Sequence, residues 1–264
     1  MSLTNSLHSW AALRAPVVKP TTQRYHQELI EFILREWPEK RDAPVAEISE
    51  QETAAFTGRI TRLSASRFNG VVTMLKGSVP AARALRRRRL AVKERRLISQ
   101  LEFSRLLAEL DTRPRSHGGL VVRFLAHTGL RINEARQLTW ADVREDFILA
   151  PGRVTKNGYA RVIPFVNGIR DVLDGLRRVS PGEVILPQKE VKRSLATACR
   201  RAGLPALTHH DFRHLFATRC IESNVDVPTA ARWLGHRDGG ALLGKTYFHL
   251  LDTHSRVMAA RVKI

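Results

Sequence analysis

His210 and Arg213 stand three residues apart in the segment THHDFRHLFATRC, so on a helix they share a face. The guanidinium offers a planar fork for two phosphate oxygens, and the imidazole offers a movable proton. A metal site is the rival, because His210 and His214 are four apart. The zincin helix, however, carries a glutamate after its first histidine. Here Asp211 takes that place, and Arg213 lies between the histidines, where its fixed charge repels a cation. No metal is expected.

A second arginine, Arg131, falls in HTGLRINEARQLTWADV, where one helix ends and the next begins. Such a turn can aim a guanidinium into a cleft, with Glu134 one helical turn on to hold it. An arginine at a helix boundary is ordinarily a surface cap or ion pair, so this motif proves little alone. His236 follows Gly235 in LGHRD, where a histidine is ordinarily a cap or a packed polar group. Eleven residues later, in GKTYFHL, comes Tyr247. A lone tyrosine on an apolar helix is ordinarily core, with its hydroxyl tied off. Lys156 sits just before Asn157-Gly158, solvated in the ordinary case but able to reach over a duplex.

These residues need elements to bring them together. Residues 1–20 show weak periodicity and hold Pro16 and Pro20, which predicts a loosely ordered, flexible arm. From Thr22 a helical stripe runs through Tyr25, Leu29, Ile33 and Trp37 until Pro38 stops it. Ser49 and Glu52 form a capping-box pattern ahead of Phe56, Ile60 and Leu63. A short helix carries Phe68, Val72 and Leu75, and a fourth follows the Gly77–Pro80 turn. Residues 21–81 therefore read as a small all-helical unit. Residues 82–96 hold eight basic side chains and one acid. They read as an interdomain linker whose Arg86, Arg87, Arg88, Arg89, Lys93, Arg95 and Arg96 could strap across DNA phosphates.

A second unit, residues 97–264, opens with a capping box at Ser99 and Glu102 and a staple between Ile98 and Phe103. Leu120–His127 reads as a buried helix that Gly129 ends, and Ile132–Leu138 as the next. The period then changes. Residues 147–150, 152–156 and 160–165 predict three short strands, with Asn157-Gly158 as the hairpin turn between the last two. The remainder is helical, with stops at Gly203, Asn224 and Gly235. Fold class is thus mainly α with a small antiparallel three-stranded sheet.

Composition points to the partner. Lysine and arginine outnumber acids 44 to 25, a formal charge of +19. Such an excess repels itself unless an anion neutralises it, and nucleic acid ranks ahead of an anionic membrane surface. Apolar residues are 43% of the chain, enough for packed cores. Two cysteines, Cys199 and Cys220, suggest a reducing compartment and no disulfide framework. Neither a signal peptide nor a membrane span is read, so a cytoplasmic protein is expected.

Taken in order, Arg131, Lys156, His210, Arg213, His236 and Tyr247 resemble the tyrosine recombinase/integrase family. The resemblance covers about residues 97–250 and rests on TGLR with its glutamate, HDFRH followed by ATR, LGH, and TYFHL. The N-terminal helices resemble that family's SAM-like core-binding domain in outline. Many members place the tyrosine nine residues after the LGH histidine; here the gap is eleven, across DGGALLGK. What the resemblance implies is a DNA breaking-rejoining fold and site-specific strand exchange without ATP, metal or other cofactor. Tyr247 would be the nucleophile that forms a 3′-phosphotyrosine. Arg131, Arg213 and His236 would hold the phosphate, Lys156 would protonate the leaving oxygen, and His210 would move the tyrosine proton. The partner would be double-stranded DNA carrying a recombination site, with a homotetramer or heterotetramer on two sites. Two rivals remain at this point, a type IB topoisomerase and a basic DNA-binding regulator that does not cut.

Overall fold

The computed structural model describes residues 1–90, 98–112, 117–155, 158–186 and 191–236, with Gly240, Ala241 and Gly244. Lys93, Arg95, Arg96, Lys156, Asn157 and Tyr247, and the part of the expected helical remainder beyond residue 244, lie outside them. The chain divides into two units, Met1–Glu94 and Arg95–Ile264.

The first unit corrects the reading of residues 1–20. Leu3–Arg14 is a helix, α1, capped by Ser2, whose hydroxyl accepts from the Asn5 amide. Leu3, Leu7 and Trp10, spaced to share a face, are buried in the core. Pro20 opens α2 (Pro20–Glu36), where its missing N–H costs nothing, and the helix stops ahead of Pro38. Ser49 and Glu52 make the expected capping box on α3 (Glu50–Arg59). After it comes α4 (Ala65–Ser78). The ring of Trp37 stacks on Phe56 at 4.6 Å inside this core. The fourth helix expected after Pro80 is only a 3-10 turn, Pro80–Ala84. Its Ala82 is fully buried, so the unit runs past the boundary expected at residue 81.

In the second unit, Ser99 and Glu102 close their capping box on α5 (Gln100–Asp111). Ile98 and Phe103 are both in the core. Next come α6 (Gly118–Thr128) and a single-turn helix, α7 (Ile132–Ala135), shorter than its sequence pattern suggests. Two strands follow, β1 (Phe147–Ala150) and β2 (Arg161–Pro164). They pair antiparallel with Phe147 opposite Pro164 and Ala150 opposite Arg161.

Among the described residues the sheet has two strands, not three. Residues 151–155 turn instead of extending, because Val154 donates to the Pro151 carbonyl and Thr155 to that of Gly152. A side chain at Gly152 would strike the Gly158 carbonyl at 2.3 Å, so this turn demands glycine.

Among the described residues four further helices follow: α8 (Ile169–Val179), α9 (Lys192–Arg201), α10 (His209–Glu222) and α11 (Val227–Leu234). Gly203, Asn224 and Gly235 all take positive φ, as expected of helix stops. A large core gathers α5, α6, the sheet, α8, α9 and one side of α10, and a smaller one joins α10 to α11. Cys199 and Cys220 are free and buried. No helix among the described residues is long and apolar enough to cross a membrane.

Candidate active site

The turn between α6 and α7 presents Arg131. Gly129 ends α6 with φ +61°, and a side chain there would run into Phe216 at 2.5 Å and Leu234 at 2.8 Å. Arg131 then takes the N-cap of α7 with extended backbone. Glu134, in the first turn, accepts from the Arg131 amide at 3.1 Å and from its Nη1 at 2.7 Å. The side chain of Arg131 remains about one-third exposed, whereas Glu134 is buried. The carboxylate thus fixes a guanidinium whose position still lets it meet solvent or a ligand.

Sequence reasoning missed Arg161. It lies on β2, buried, and donates through Nη2 to Glu134 Oε2 at 2.6 Å. Its Nε donates to the Trp233 carbonyl at 2.9 Å. The signal was present: Arg161 is in phase with the buried Ile163, so a charge occupies an inward-facing strand position. Burial pushes the Glu134 carboxyl up, but hydrogen bonds and charge from Arg161, then Arg131, outweigh it and hold it below the usual carboxylate range.

Arg213 is buried on α10, only 4% exposed. Its Nη1 donates to the Gly129 carbonyl at 2.7 Å and its Nη2 to that of Leu234 at 2.6 Å. Two consecutive carbonyls at the end of α11, Trp233 and Leu234, therefore each receive a guanidinium. These are the orphan acceptors at the negative end of the helix dipole, and cations suit them. Gly235 (φ +72°) and His236 close α11, with Gly235 donating to the Arg232 carbonyl and His236 to that of Ala231. This Schellman-type stop fixes the backbone that carries His236.

Of the expected site residues, Arg131 and Glu134 thus belong to one hydrogen-bonded set and Arg213 to another, and the two sets meet at the end of α11, whose stop carries the backbone of His236. His210 sits on the exposed first turn of α10, its ring edge-on to His214 with centroids 4.7 Å apart. Among the described residues no group of three His, Cys, Asp or Glu could hold a metal ion. In the basic segment, Arg86, Arg87 and Arg89 are exposed, but Arg88 is engaged by its own unit.

A unit that holds Arg131 on a buried carboxylate and Arg213 on two main-chain oxygens, with a histidine on the adjoining turn, is suited to an anionic phosphate centre. The chain belongs to the phage integrase family, whose model matches residues 96–254. It is similar over 224 residues to the tyrosine recombinase XerA of Saccharolobus solfataricus, at 24% identity over 83% of this chain and 72% of that one. XerA of Thermococcus kodakarensis is 31% identical over 152 residues, 53% of each chain. Among solved structures, a lambda integrase dimer bound to a core site has a TM-score of 0.76 at 22% identity, covering 90% of this chain and 96% of that one. The Tn1549 transposon integrase in complex with transposon right-end DNA gives 0.76 at 14% identity, covering 98% and 100%. The structural likenesses show the fold. The family and its named recombinases favour site-specific DNA recombination over relaxation by a topoisomerase or regulation without cutting.

Proposed function

We propose that this chain cuts and rejoins DNA at specific sites through Tyr247. The tyrosine oxygen attacks a backbone phosphorus, the bond from phosphorus to the 5′ oxygen breaks, and a 3′-phosphotyrosine forms. Lys156 supplies the proton that the departing 5′ oxygen takes up, and His210 receives or relays the one lost by the tyrosine. The ester conserves the phosphodiester energy, so the reverse attack reseals a strand without ATP. Negative charge grows on the two non-bridging oxygens during attack. Arg131 and Arg213 stabilise it by charge-assisted hydrogen bonds, and His236 adds another donor.

The observation that carries this reading is the bond from Arg213 to the Gly129 carbonyl, two residues before Arg131 in the chain. It links the two arginines that the reaction requires to act together. The other arm of Arg213 reaches Leu234, two residues before His236. Under this reading the helical first unit is a core-binding domain. The functional assembly is a tetramer on two DNA sites, supported by the lambda integrase tetramer bound to a Holliday junction. A cytoplasmic location goes with it.

The test is a nicked suicide substrate, which lets a short fragment diffuse away after cleavage and traps the covalent complex. Wild type should shift on a denaturing gel with the labelled strand attached, and Tyr247→Phe should not. Identical, uncleaved DNA from both proteins would remove the catalytic claim.

A further inference from the structure

Arg88 differs from its basic neighbours. Its amide donates to Asn69 Oδ1 at 2.7 Å, and its carbonyl accepts from Asn69 Nδ2 at 2.9 Å. One carboxamide on α4 thus grips both backbone polar groups of one residue, which defines a register. The side chain adds to the grip. Its Nη1 donates to the carbonyls of Thr61 at 2.9 Å and Leu63 at 3.1 Å, and the guanidinium lies 3.8 Å above the Phe68 ring. Arg86, Arg87 and Arg89 are exposed, and none of them makes an ion pair among the described residues.

We propose that Arg88 is a positioning residue, not a phosphate contact, and that its clasp with Asn69 presents Arg86, Arg87 and Arg89 as a fixed edge for DNA phosphates. This rests on the DNA-binding reading above. The physical reason is entropic. A loose basic strand must be ordered each time it binds, whereas a segment already pinned by four hydrogen bonds and a stacked ring has lost that freedom on folding. The Arg88 guanidinium keeps its charge, but Nη1 is turned onto two carbonyls and the plane lies on a π face, which holds the side chain against its own unit. Its contribution to DNA affinity therefore comes through geometry, and that of its neighbours through neutralised phosphate.

Two measurements separate these roles. The first needs no DNA. Limited trypsin digestion of the full chain, at a temperature where both proteins remain folded, should cleave within residues 86–89 about tenfold faster in Asn69→Ala than in wild type; the factor corresponds to the ordering of one or two side chains. An unchanged cleavage rate overturns the clasp. The second is the slope of log affinity against log salt on a duplex. Arg86→Ala, Arg87→Ala and Arg89→Ala should each flatten it by about 0.9 for every phosphate left without its cation. Arg88→Ala should weaken binding about tenfold and keep the wild-type slope. A slope flattened equally by Arg88→Ala places its charge on a phosphate and overturns the assignment. Unchanged slopes for the three neighbours overturn the edge. If wild type binds no duplex at all, the DNA reading fails, and the trypsin rates still judge the clasp.

Discussion

Arg161 and Glu134 meet in a 2.6 Å ion pair with both side chains almost fully buried, one on the sheet and the other on the single-turn helix that begins after Arg131. Because Glu134 also binds Arg131, and Arg161 also binds the end of α11, the pair is the middle of a chain of contacts from β2 to both neighbouring turns. Removing any link leaves a buried charge or carbonyl behind.

Glu134→Gln should therefore cost about 3–5 kcal/mol of stability, the range for breaking a buried pair by deleting one partner. The same carboxyl makes stability pH-dependent. Its pKa in the folded protein is depressed, so its contribution is fully present above the ordinary carboxylate range and is lost as pH falls through the folded value. Urea titrations at neutral pH and in the acid range should show wild type losing part of its margin over Glu134→Gln in acid. An equal difference at both pH values would contradict the assignment.

Arg161→Met removes the other partner. In a double-mutant cycle, Arg161→Met with Glu134→Gln should destabilise much less than the sum of the two singles, by about 1–3 kcal/mol of coupling. Additive losses in chemical denaturation would mean that the two side chains do not act on each other.

Arg213→Ala should abolish strand cleavage while sparing much of the site binding. It should also lower stability by about 1–3 kcal/mol for each carbonyl left without its donor. Arg213→Lys should restore little cleavage, because an ammonium cannot span Gly129 and Leu234 with a planar fork. Filter binding and suicide-substrate cleavage on the same preparations make the comparison. Strong cleavage by the alanine variant would show that the phosphate clamp is misassigned.

Cys220 gives a prediction about reactivity. Burial pushes its thiol pKa up to about 12, so almost no thiolate exists at neutral pH. The native protein should react with a thiol reagent at Cys220 only at the rate of unfolding, and promptly in denaturant. Rapid native modification at Cys220 would show that α10 opens far more readily than its packing implies.

The parts that sequence makes visible are those with short-range causes. The Ser49–Glu52 and Ser99–Glu102 boxes each close over three residues, as does the grip of Glu134 on Arg131. Gly235 and Asn224 end helices where their backbone freedom suggests. Longer causes are hidden. Arg161 finds its partners 27 and 72 residues away, and nothing local announces them. In α1 the stripe of Leu3, Leu7 and Trp10 is diluted by polar and small residues and overshadowed by two nearby prolines. A third strand follows from the Asn157-Gly158 dipeptide by hairpin logic, but the preceding residues close turns among themselves.

The way Arg213 is held has a consequence for how such a protein can vary. Its two acceptors are peptide oxygens, which every amino acid carries, so replacing Leu234 with another residue does not delete the bond. Loss of these two bonds comes through backbone course instead. It falls on Gly129, where any side chain would collide with Phe216 and Leu234, and on Gly235, whose φ of +72° turns the chain toward His236. Apolar exchange accepted at Leu234, which need only refill its place in the core, beside intolerance at Gly129 and Gly235 is the mutational signature this architecture should leave.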